Sequence, residues 1–155
     1  MDSISSSSAA PSILVVEDDA QAREAVVHTL TQAGYEAVQA SSGEDALDLM
    51  ATAEFDGLYC AIELPGRADG WEVGSTFSFI WPDRPVVYAS AISVPPGPLR
   101  KGVFLRKPFV MRMLAKAFEP ARVAGTVRAG SASHTKPRNS TAARIKPACS
   151  FVHLA

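Results

Sequence analysis

Five side chains in this sequence have the types and the spacing to bind a hard cation beside an anionic oxygen group. Glu17 and Asp18 follow a first apolar run, Glu63 comes just after a later one, Ser90 closes another, and Lys107 stands directly before Pro108 at the end of the last. Carboxylates are the oxygen donors that suit Mg²⁺. A hydroxyl and an ammonium are donors that suit phosphoryl oxygens. Each residue also has a plainer reading. Acids at a strand end can cap a helix, which suits the neighbouring Asp19 and is a poor account of three consecutive acids. A lysine can be merely solvated, and a lone serine carries no information.

These residues are useful only if the chain brings the ends of the apolar runs together. Ser12-Ile-Leu-Val-Val16 has the composition of a strand buried on both faces. Asp19 is placed to cap a helix from Ala20 to about Ala33, with Val26, Val27 and Leu30 on its apolar side and Gly34 ending it. Tyr35 to Ala40 reads as a second strand, and Ser42-Gly-Glu-Asp45 has the spacing of a helix start. Gly57 to Ile62 is the third strand, ended by Leu64-Pro-Gly66. Asp69-Gly70 then leads into a helix carrying Val73, Phe77 and Ile80, which Trp81-Pro82 closes. That helix holds weak formers, Gly74, Ser75, Thr76 and Ser78, as a segment under relaxed constraint would. Pro85 to Ala89 and Val103 to Leu105 are strands four and five, and Val110 to Glu119 is the last helix. Between strands four and five, Ser93-Val-Pro-Pro-Gly-Pro-Leu excludes a regular helix, because proline removes backbone donors and restricts the residue before it.

Strands alternating with helices give a parallel sheet. In such a sheet ligands bind outside the carboxyl ends of the strands, where the strand order reverses. Glu17, Asp18, Glu63, Ser90 and Lys107 all fall at such ends.

The chain has 155 residues, enough for one domain with tails. No apolar run is long enough to cross a bilayer, and the serine-rich start lacks the features of a signal peptide, so no membrane insertion and a cytoplasmic location are expected. Cys60 and Cys149 lie in unlike settings and suggest neither a disulfide framework nor a metal site. Net charge is -1, unevenly spread: residues 120–155 contain six bases and no acid. That segment reads as a solvated, disordered extension, and nucleic-acid binding is not expected of it.

Four motifs, in order and each at a strand end, resemble response-regulator receiver domains: Ile13-Leu-Val-Val-Glu-Asp-Asp19, Ile62-Glu-Leu-Pro-Gly66 with Asp69-Gly70, Pro85-Val-Val-Tyr-Ala-Ser90, and Phe104-Leu-Arg-Lys-Pro-Phe109. The resemblance covers residues 12–119, with 1–11 as an N-terminal segment and 120–155 as the basic tail. It implies an α/β, flavodoxin-like three-layer sandwich with a five-stranded parallel sheet of order 2-1-3-4-5; the proline-rich connection adds that the fourth helix is short or absent. It also implies that Glu17 and Asp18 bind Mg²⁺, that Ser90 and Lys107 contact a phosphoryl group, that Phe104 occupies the aromatic switch position, and that Lys107-Pro108 is cis. Phe104 reads equally well as plain core, lacking the hydroxyl of a tyrosine.

The phosphate acceptor should lie four residues before Pro65, and that residue is Ala61. A methyl group offers no nucleophile. Loss of a carboxylate there also removes a metal ligand and a negative charge, so Mg²⁺ binding is expected to be weakened or lost, with Glu17 and Asp18 drawn toward Lys107. By strand alternation Glu63 starts on the face of Ala61 and is expected to replace part of the missing charge by reaching Mg²⁺ or Lys107. The resulting expectation is a single-domain, non-phosphorylatable pseudo-receiver without enzymatic activity, whose partner is a histidine kinase or another phosphorelay protein. An inactivated remnant of an active receiver is the alternative. A Mg²⁺-dependent phosphatase is a weaker one, because Glu17-Asp18-Asp19 lacks its nucleophile pattern. A flavodoxin would not place acids where FMN phosphate binds.

Overall fold

The computed structural model describes residues 9–92, 95 and 102–122. Its elements are β1 (Ser12–Val16), α1 (Ala20–Gln32), β2 (Glu36–Ala40), α2 (Gly43–Thr52), β3 (Gly57–Ala61), α3 (Gly70–Ile80), β4 (Val86–Ser90), β5 (Val103–Arg106) and α4 (Met111–Ala117). The five strands form one parallel sheet of order β2-β1-β3-β4-β5. Four helices occur among the described residues. Most of the proline-rich connection, at 93–94 and 96–101, lies outside the described residues, as do 1–8 and the basic segment from 123 on.

The strand sequences explain their places. β3 and β4 are buried throughout and β1 nearly so, and these are the runs that lack charge. The edge strands β2 and β5 carry Glu36, Gln39 and Arg106 and are partly exposed. Alternation divides the core into two layers. Leu14, Val16, Leu58, Cys60, Val86 and Tyr88 face α2 and α3, where Ala46, Met50, Val73 and Phe77 complete the layer. Ile13, Val15, Tyr59, Val87 and Ala89 face α1 and α4, packing on Val26, Leu30, Leu114 and Phe118.

Helix starts follow the local sequence. Asp19, Ser42 and Asp69 accept hydrogen bonds from the backbone N–H groups of Ala22, Asp45 and Glu72, at 3.0, 3.1 and 2.9 Å. The chain stays packed beyond α4: Ala121 is fully buried, and the Arg122 guanidinium lies over the Tyr35 ring at 4.8 Å.

Gly74, a weak former in the sequence, has a packing reason in α3. A Cβ at this position would stand 2.1 Å from the Tyr88 hydroxyl oxygen and 2.3 Å from its ring. Gly74→Ala is therefore expected to destabilise the domain: overpacking costs about 1–3 kcal/mol and outweighs the roughly 1 kcal/mol that alanine contributes to a helix. Urea unfolding measures the difference, and Tyr88→Val in the same chain should recover most of it. A Gly74→Ala chain as stable as the parent would refute this packing account.

Candidate functional site

The register assembles the site at the carboxyl edge of the sheet. Val16 pairs with Cys60, so Glu17 and Ala61 are the next residues on adjoining strands; Ala61 in turn pairs with Ala89, and Ser90 with Arg106. The Lys107 N–H donates to the Ser90 carbonyl at 2.9 Å, extending the ladder one step past β5. Because β1 leads to one side of the sheet through β2 while β3 begins the other, this is the reversal point at which parallel sheets open a crevice. Ala61, 2% exposed, ends β3 in this row.

Glu17 is a buried acid with three kinds of support. Its carboxylate oxygen lies 2.8 Å from the Lys107 ammonium. The Tyr59 hydroxyl donates to the same oxygen at 3.4 Å. Arg23 donates to the Glu17 carbonyl at 2.7 Å while its Nε donates to Gln39. Burial, and then the negative charge and hydrogen bond of Glu17, raise the Tyr59 phenol well above its ordinary range, so it stays protonated and remains a donor. The expected pull of Lys107 on the acids after β1 is met by Glu17. Lys107-Pro108 is cis, as the motif implied.

Glu63 meets Ser90 and not Lys107. β3 stops at Ala61 and the chain bends at 62–63, so alternation no longer governs where Glu63 lies. The fully buried Ser90 hydroxyl is 2.8 Å from both Glu63 carboxylate oxygens, and it also accepts the Ile92 N–H at 3.0 Å. Asp18, Glu63 and Asp69 border an open cleft of ≈ 540 Å³ with Leu64, Pro65 and Trp71.

A clamp that the sequence did not suggest holds the loop between β3 and α3. Glu44, in the first turn of α2, accepts the N–H groups of Arg67 and Ala68 at 2.7 and 3.2 Å. These hydrogen bonds, led by that from Arg67, lower the Glu44 carboxyl below its ordinary value of 4.5. A depressed folded-state value means that the clamp contributes stability above the ordinary carboxylate range and loses it as pH falls through the lower folded value. Glu44→Gln should thus unfold at lower urea than the parent at pH 7, with the gap closing in strong acid. A gap that persists undiminished in acid would mean that the charge is not what holds the loop.

Phe104 is half-buried against the α2/α3 layer, stacked on Trp71 with centroids 6.3 Å apart and planes 15° from parallel; Trp71 also packs on Tyr88 at 4.7 Å. The fold therefore gathers Glu17, Ser90, Lys107 and Ala61 at one edge, with Asp18 and Glu63 at the cleft beside them and Phe104 packed beneath. The residues do not fit a divalent cation as one donor set. Glu17 is taken by Lys107 and Tyr59, Glu63 by Ser90, and no group of three or more His, Cys, Asp or Glu side chains among the described residues is placed to hold a metal ion. Sequence reasoning missed Tyr59, Trp71 and Glu44. Glu44 had a signal, its position in a capping segment, but nothing local shows that it reaches across to another loop.

Residues 13–127 match the family model described as response regulator receiver domain. The chain is 34% identical over 107 residues to response regulator MprA of Mycolicibacterium vanbaalenii, covering 66% of this chain and 46% of that protein. It spans less than half the length of the curated relatives it matches. A response regulator receiver protein from Sinorhizobium medicae superposes with TM-score 0.69 at 29% identity, over 75% of this chain and 97% of that one. Response regulator protein TrrA from Thermotoga maritima, solved in complex with Mg²⁺ and BeF, superposes with TM-score 0.64 at 27% identity, over 72% and 98%. No helix among the described residues is long and apolar enough to cross a membrane.

Proposed function

The chain belongs to the response regulator receiver domain family, and on that premise we propose that it is a receiver that signals by binding alone, with Ala61 at the phosphoacceptor position. Receiver domains are in general non-enzymatic modules of two-component signalling, and they bind Mg²⁺. What carries the finer reading is Ala61 itself: a buried methyl at the end of β3, four residues before Pro65, where an aspartate would present its carboxylate. Phosphoryl transfer to a receiver needs an oxygen nucleophile at that point, and a methyl supplies none.

The other roles follow the same reading. Ser90 and Lys107 are the hydroxyl and ammonium of the former phosphoryl site, Phe104 is the switch aromatic, and Glu17, Asp18 and Glu63 are the remaining acids. Mg²⁺ binds weakly, because two of those acids are already engaged. The partner is a histidine kinase or another phosphorelay protein, docking near α1 or along the β5–α4 edge. Val103, Val110 and Met113 supply exposed apolar surface at that edge. The test is acetyl phosphate in the presence of Mg²⁺: the natural chain should take up no phosphoryl group by intact-mass measurement, and stoichiometric uptake would overturn the reading.

A further inference from the structure

We propose that Glu63 is a tethered anion: its carboxylate is the resident occupant of the Ser90 hydroxyl, and this contact holds the β3–α3 loop against the end of β4 without any covalent modification. The inference rests on the reading above only in taking Ser90 as the hydroxyl of the site.

Four observations support it. Ser90 is fully buried, so its hydroxyl needs a partner within the protein. Both Glu63 oxygens stand 2.8 Å from that hydroxyl, so either can accept its one proton, and a hydrogen bond to an ionised acceptor is stronger than a neutral one. The Ile92 N–H donates to the same Ser90 oxygen, which links the occupant to the chain leaving β4. Finally, the ammonium beside this site is itself matched by a carboxylate of the chain, Glu17. Both donors that would receive an external anion thus already have an internal one. An external anion would have to displace Glu63, and the loop that carries Glu63 also carries Leu64, Pro65 and Asp69, which border the open cleft. Occupancy of Ser90 and the position of the cleft wall are therefore one variable.

The experiment is amide hydrogen exchange on the full chain, read at Gly70, whose N–H donates to the Ile62 carbonyl at 2.9 Å across the loop that carries Glu63, with Glu63→Leu, Glu63→Gln, Ser90→Ala and the Glu63→Leu/Ser90→Ala double variant. Glu63 is exposed and Ser90→Ala is nearly isosteric, so each chain should fold, and exchange in the distant strand β1 serves as the control. Glu63→Leu and Ser90→Ala should each speed exchange at Gly70 by about tenfold, the scale of one hydrogen bond to an ionised group. The double variant should exchange no faster than either single one, and Glu63→Gln, which keeps an acceptor oxygen, should restore part of the protection. Unchanged exchange in Ser90→Ala, or additive effects in the double variant, would overturn the proposal. Because no phosphoryl donor is involved, this outcome is independent of whether Ala61 prevents phosphorylation.

Discussion

Ala61→Asp should turn a chain inert to acetyl phosphate into one that carries a single hydroxylamine-sensitive phosphoryl group. A carboxylate oxygen at the end of β3 can attack phosphorus, forming an acyl phosphate while the bond to the acetyl oxygen breaks and acetate leaves. The register sets this position beside Glu17 and one step from Ser90, and Lys107 is anchored to Ser90 through its own backbone, so the incoming group would compete with Glu17 and Glu63 for the Lys107 and Ser90 donors. The change is all-or-none in kind, so intact mass after treatment of parent and variant decides it. Uptake by the variant alone supports the assignment of Ala61. Uptake by both would show that another residue accepts the group. Uptake by neither would mean that the surrounding pocket is not a receiver pocket in working order, and the reading would fall. The variant has a structural cost as well. A new carboxylate beside buried Glu17 competes for Lys107 and places like charges together, so the Ala61→Asp chain should be less stable than the parent at neutral pH.

The second large effect concerns Lys107. Lys107→Met removes the cation 2.8 Å from Glu17, whose side chain is 2% exposed, and leaves a buried charge that, among the described residues, has the Tyr59 hydroxyl as its one remaining donor at that oxygen. Breaking such a pair from one side typically costs 3–5 kcal/mol. The Lys107 side chain is 27% exposed, so solvent screens part of the interaction and about 3 kcal/mol is expected. For a domain of this size that corresponds to roughly 10 °C in Tm. Glu17→Gln added to Lys107→Met should return most of the loss, since the cost lies in the orphaned charge. If Lys107→Met unfolds at the parent temperature, the pair is not what keeps Glu17 buried and charged. If the double variant is as unstable as the single one, the loss comes from lysine packing.

The sequence by itself determined those features whose partners are close along the chain or whose pattern is periodic. Asp19, Ser42 and Asp69 cap helices because the bond each makes spans three residues, a distance fixed by helix geometry. Strand ends were legible to within a residue or so because uncharged runs mark buried strands, and Ala61 was singled out by the family resemblance, which implies the acceptor position four residues before Pro65. The strand order came with the family resemblance and agrees with the sheet observed. Only the tertiary structure decided that Glu17, and not Asp18, meets Lys107, and which donors Glu63 and Glu44 meet. Glu17 and Lys107 are 90 residues apart, Glu63 and Ser90 27, and Glu44 and Arg67 23, so no local rule pairs them. Glu63 shows the physical reason. Alternation would have aimed it by the direction of β3, but the strand ends at Ala61 and the chain bends, after which the side chain is placed by competition among nearby donors. Gly74 has the same kind of explanation, since its missing Cβ has meaning only once Tyr88 lies against α3. Periodicity and caps are one-dimensional constraints and survive in the sequence; the pairing of buried polar groups is settled by packing in three dimensions.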